Sequence, residues 1–207
     1  MVDLGGDTIP YFSLLNLPPS NGVFPMNYLS DLLNISKGRS LMYLSILLLP
    51  MGSSDALRTL QLLGLNEEDA VELSKSVKEL LEVSVEDYRV DLDPVTRSLY
   101  AKVIKGFYDS VGYIVEGNPG ALKAMIAFIA RLASDEVRAL ELDDVEGARK
   151  LRVTQLRFLN AHVKPLLEGV VTRGGGLSRA AGVLLELVER DVELLKELIL
   201  GAKPTDS

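Results

Sequence analysis

A short apolar run, LMYLSILLL at residues 41–49, constrains this chain more than any other feature of its sequence. It is bounded by Ser40 on one side and by Pro50-Met51-Gly52 on the other. Its length is about half of what a helix needs to cross a bilayer. It lacks the period-2 alternation of a strand with one wet face. A run of this kind suits a strand buried on both faces, as in a parallel sheet.

The neighbouring segments extend that reading. Residues 9–17 (IPYFSLLNL) form a second apolar run, closed by Pro18-Pro19 and Ser20-Asn21-Gly22, which is turn chemistry. Residues 86–92 and 111–116 carry partial alternation or a compact apolar block and are read as two further strands. Helical patterns lie between them. A short amphipathic helix at 26–35 ends at Lys37-Gly38, and another spans 55–63 before Gly64. Asn66 caps a third helix, with Glu67, Glu68 and Asp69 in its first turn. Asp93-Pro94 opens a fourth, with Pro at its first position. From residue 119 onward the pattern is purely helical. Asp143 or Asp144 caps a long helix that Pro165 should kink or end, Gly174-Gly175-Gly176 connects, and the last helix covers 177–200. Strands alternating with helices imply right-handed βαβ units. The expected fold is therefore α/β, half of a (β/α)8 barrel at 1–134 followed by a helical extension at 135–207.

Composition excludes several classes. The chain of 207 residues has no Cys, so no disulfide framework, thiolate metal site or cysteine nucleophile is available. The single His, His162, makes a protein-only zinc site unexpected. Twenty-two basic against 29 acidic residues give a net charge of -7, which disfavours nucleic acid as the main partner. No leader-like segment and no membrane span are read, so a cytoplasmic protein is expected. The absence of Cys and the scarcity of Gln fit a thermophile.

Three motifs carry a resemblance. Asn16-Leu17-Pro18-Pro19-Ser20-Asn21-Gly22 follows an apolar run and resembles the Tyr-Asn-x-Pro…Thr-Gly segment of the dihydrodipicolinate synthase and N-acetylneuraminate lyase family, to which the 2-keto-3-deoxygluconate aldolases also belong. Residues 111–118 (VGYIVEGN) look like that family's eighth strand. Residues 143–151 (DDVEGARKL) are similar to the start of its first helix after the barrel. The resemblance covers nearly the whole chain but only the second half of the family's length. It implies a relative of pyruvate-dependent class I aldolases with degenerate chemistry. The family's catalytic Tyr is replaced by Leu15, its Schiff-base Lys has no counterpart in 41–49, and Lys37 lies at the wrong end of that run. No Schiff base with pyruvate or another 2-keto acid is therefore expected from this chain alone. If activity survives, the resemblance implies a carbon-carbon lyase completed by another chain or a missing half.

No catalytic residue, metal ligand or cofactor is assigned. Asn16, Asn21, Tyr43 and Asn118 are pocket candidates, each weighed against turn chemistry or an ordinary core aromatic. Arg173, Gly175 and Arg179 are candidates for binding an anion at a helix start, against a plain connection. Expected partners are a second copy or a full-length paralogue, because a half-barrel leaves sheet edges and apolar faces open, and a small 2-keto acid as ligand. A helix-rich scaffold unrelated to that family is the alternative, and topology discriminates: an all-helical bundle sinks the barrel readings.

Overall fold

The computed structural model describes residues 28–200, and there every named element is a helix. The run at 41–49 is not a strand. It is the second half of α1 (Tyr28–Leu48), which ends in a 3-10 turn at Leu49–Met51, where Pro50 lacks the N–H to continue and Gly52 takes a left-handed φ of 72°. α2 (Ser54–Leu62) and α3 (Glu67–Leu81) follow. Ser53 and Asn66 cap them by accepting the N–H of Ala56 and Asp69. The one-turn α4 (Val85–Tyr88) occupies the first half of the strand expected at 86–92. α5 (Pro94–Ser110) starts on Asp93, whose Oδ1 accepts the N–H groups of Val95 and Thr96. The strand expected at 111–116 is a loop, with Gly112 and Gly117 at positive φ. α6 (Leu122–Glu141), α7 (Val145–Phe158), α8 (Lys164–Arg173) and α9 (Ser178–Leu200) complete the bundle.

The sole isolated β-bridge among the described residues joins Ser84 to Ala121. The half-barrel is thereby corrected to an all-helical bundle, and the aldolase chemistry that went with it loses its scaffold. The run expected at 9–17 lies outside the described residues. The boundary expected at residue 134 falls inside α6.

The physical reason is visible in α1. Its apolar run serves two faces of one helix. Met42, Tyr43 and Ile46 are buried, while Leu41, Leu44 and Leu48 are exposed. A run with no alternation fits a doubly covered strand and a helix equally well, and Gly38 does not stop the helix because a central glycine costs only about 1 kcal/mol.

α1 packs along α6, α6 along α7, and α9 receives α3, α7 and α8. One core runs through all of them, from Met42 and Ile46 through Leu73, Val77, Phe128 and Phe158 to Leu184 and Leu195. At its aromatic centre Phe128 and Phe158 meet with ring centroids 4.7 Å apart, and Tyr108 lies 4.9 Å from Phe128. The Tyr108 hydroxyl donates to the carbonyl of Pro119. A smaller cluster of Leu32, Leu140 and Ala148 closes the other end of α1.

Between α7 and α8 the chain makes a π-turn at Leu159–Val163. Pro165 explains it. Its ring has no N–H for the carbonyl four residues back, that of Ala161. The orphaned carbonyl is met from outside the helix, by Arg89 Nη1 at 3.3 Å and by the Tyr100 hydroxyl at 3.3 Å.

Candidate functional site

Two features stand out once side chains are placed, one inside the bundle and one on it. Inside, four helices each contribute a polar or charged group to a fully buried cluster. Arg39 of α1 uses all three guanidinium nitrogens: Nε to Asp191 Oδ1 at 2.5 Å, Nη1 to Glu136 Oε2 at 2.6 Å, and Nη2 to Gln155 Oε1 at 2.7 Å and Asp191 Oδ2 at 3.1 Å. Glu136 of α6 also accepts from Ser36, from Arg152 Nε at 2.6 Å and from Gln155 Nε2 at 2.9 Å. Tyr43 donates its hydroxyl to Asp191 Oδ2 at 2.7 Å.

Two guanidiniums face two carboxylates, so these four side chains carry no net charge. Burial opposes ionisation of Glu136, but the adjacent Arg39 and Arg152 outweigh it and hold the carboxyl below its ordinary range. The oxygens of both carboxylates are already engaged by donors. The arrangement can pin four helices in one register, and it offers no free group for acid-base work.

Arg152 is the uneven member. Its Nε is bonded, while Nη1 and Nη2 are closed off from solvent without a hydrogen-bond partner. Charged donors left unmet in an interior are costly.

The sequence candidates fall as follows. Asn16 and Asn21 lie outside the described residues. Tyr43 is in the buried cluster. Asn118 accepts the N–H of Gly120 through Oδ1 at 2.8 Å and borders an open groove of about 300 Å³ beside Tyr113 and Ala124. Arg173 lies over the Tyr88 ring at 5.1 Å and donates to the Asp87 carbonyl. Arg179 pairs with Glu68 of α3. The two cations thus turn to different helices, and Gly175, at φ 92°, is part of the turn between them.

Asp91 is held by Arg89, Asp93 caps α5, and Asp109 pairs with Lys105. Among the described residues no group of three or more potential metal ligands converges, and no helix is long and apolar enough to cross a membrane. His162 is buried beside Phe158 and Phe107, with Nδ1 3.2 Å from the Tyr100 hydroxyl. Burial, reinforced by the positive charge of Arg89, lowers its pKa to about 4.

The feature on the outside is a line of large apolar side chains. Leu41, Leu44, Leu48 and Met51 are 51%, 40%, 43% and 80% exposed. Leu41, Leu44 and Leu48 are spaced three and four residues apart on α1, as on a helix seam, and Met51 lies in the 3-10 turn beyond it. Beside Leu41 a groove of about 320 Å³ opens between α1 and α6, lined by Lys37, Ser40, Leu41, Ser134 and Val137. α5 carries a second line, Val95, Leu99 and Val103, also exposed.

Neither the cluster nor the seam was singled out from the sequence. The signal for the cluster was present as charged residues at positions where the helical repeat calls for apolar ones: Arg39 between Ile35 and Met42, Glu136 between Ala133 and Leu140, and Asp191 between Val188 and Leu195. No known protein-family model matches this chain.

Proposed function

We propose that this chain is a helix-rich scaffold, a non-enzymatic assembly subunit that works by presenting apolar helix faces to a protein partner. The observation that carries this reading is the line of Leu41, Leu44 and Leu48 on α1, extended by Met51 in the 3-10 turn that follows, an apolar strip outside a well-filled core. Scattered exposed leucines are ordinary, but an ordered strip of large ones marks an interaction surface. The buried cluster supports the same reading, because its charged groups are consumed in holding the bundle together.

The compartment that goes with this proposal is the cytoplasm, where a chain without cysteine loses nothing by lacking disulfides. Homo-oligomerisation is part of the proposal. Light scattering coupled to gel filtration at about 10 µM tests it, with a mass of two or more chains expected. A monomer at that concentration counts against it.

A further inference from the structure

We propose that residues 113–116 are an open strand edge that receives an extended, basic peptide segment of a partner protein, one apolar side chain of which enters the groove beside it. The inference goes beyond the scaffold reading. It concerns loop backbone and a groove rather than helix faces, and it stands or falls without them.

The sequence here, YIVE, has the aromatic and β-branched residues of a strand. The bundle gives it no sheet, yet its side chains alternate as in one. Residues 113–116 are neither helix nor turn. Tyr113 and Val115 pack on the core, while Ile114 is 89% exposed and Glu116 faces solvent. Gly112 and Gly117, both at positive φ, bracket the segment. Among the described residues nothing hydrogen-bonds to the backbone N–H or C=O of Ile114, Val115 or Glu116. A row of unpaired main-chain groups is the template to which a peptide adds as a further strand.

Two features identify the occupant. The first is the groove of about 300 Å³ between this segment and the start of α6, lined by Tyr113, Val115, Ala121, Ala124 and Ala127, with the unpaired segment as one wall. That volume is at the bottom of the roughly 300–1,000 Å³ of small-molecule sites, so it suits a side chain of a bound strand better than a whole cofactor.

The second is charge. The rim carries Glu82, Glu116 and Lys123. Lys123 is already engaged with Glu82 at 3.9 Å, and Glu116 has no cation beside it among the described residues. An unbalanced carboxylate on a chain of net charge -7 favours Lys or Arg in the peptide. A second copy would bring the same two carboxylates to the rim, so a foreign segment is the better occupant.

The test uses the full chain and fluorescently tagged peptides Lys-Val-Lys-x-Lys-Val-Lys, with x as Ala, Val, Leu or Phe, followed by anisotropy. At least one is expected to bind with a Kd on the order of 100 µM or tighter. Alternate N-methylation blocks one edge of a peptide, and one of its two registers should weaken binding at least about 10-fold. Exchanging Lys for Glu in the peptide should do the same.

Two variants of the chain place the site. Ile114→Pro deletes one N–H from the edge at an almost fully exposed residue, and Ala124→Leu fills the groove from α6 with a good helix former. Each should lower affinity at least about 10-fold while helicity by circular dichroism is unchanged, and if one unfolds the other decides alone. No binding across the panel overturns the proposal. So does equal binding of both N-methylated forms and the parent peptide. Binding that the folded variants leave intact overturns it too, since it would be attraction between a basic peptide and an acidic surface. None of these results bears on the scaffold reading, which turns on the mass of the chain in solution.

Discussion

Arg39 holds the centre of this bundle, and its neighbours are not equivalent to it. It bonds Glu136, Gln155 and Asp191 at once. Removing one partner of a buried pair leaves the other charge uncompensated, which typically costs about 3–5 kcal/mol. Arg39→Met is therefore expected to lower unfolding stability by about that amount in urea denaturation. Arg152→Met should cost less, about 1–3 kcal/mol, because it gives up one bond to Glu136 and also removes two unmet donors. Equal losses would contradict the asymmetry seen in the cluster.

His162 gives a pH dependence with a definite sign. Its folded pKa of about 4 lies below the ordinary 6.5, so folding favours the neutral ring. The stabilisation is complete above pH 6.5, shrinks as pH falls from 6.5 to 4, and is exhausted below that. It amounts to at most about 3 kcal/mol. Glu136 acts in the same direction at lower pH, its lowered carboxyl withdrawing stability only as pH falls below its ordinary value of 4.5. Urea midpoints at pH 7 and pH 5 should differ in the wild type. In His162→Gln most of that difference should vanish, and an unchanged difference would place the titration elsewhere.

Helices in this chain are limited by contacts as much as by propensity. Gly169 of α8 faces the backbone of α4 so closely that a Cβ there would sit 1.9 Å from the Tyr88 carbonyl oxygen. Gly182 of α9 has nothing within 4 Å of the same point. Both are helix-interior glycines, so propensity alone predicts a gain for either alanine substitution. Gly169→Ala is instead expected to destabilise by about 1–3 kcal/mol through overpacking. Gly182→Ala should stabilise by about 0.5–1 kcal/mol. Thermal melts of the two variants settle this, and a shared sign would show that α4 yields readily. The π-turn before Pro165 follows the same logic, since a missing N–H is tolerated because Arg89 and Tyr100 reach the freed carbonyl.

One core spans the described bundle, so the parts on either side of residue 134 should not unfold separately. Side chains from α1, α6, α7 and α9 share the buried cluster. The continuous core joins α3 and α6 to α9. A single cooperative transition is expected, with helix content and tyrosine environment changing together. Two resolved transitions, or a protease-stable fragment ending near residue 134, would show that the halves are independent.

Local signals read from the residues alone survive into the structure. Asn66 and Asp93 cap helices, Pro94 sits at a first helical position, and Pro165 distorts the helix around it. These depend on hydrogen bonds and sterics within a few residues, so the order of side chains along the chain suffices to set them. The apolar run at 41–49 did not reveal its own conformation. A segment without periodicity satisfies a doubly buried strand and a two-faced helix alike, and only packing against α6 on one side selected the helix. The buried cluster was hidden for the same kind of reason. A charged residue in an apolar register reads as a solvated position until the partners that neutralise it, some 97–152 residues away, are brought alongside by the fold. Charges are tolerated in an interior only in company, and that company comes from distant parts of the chain.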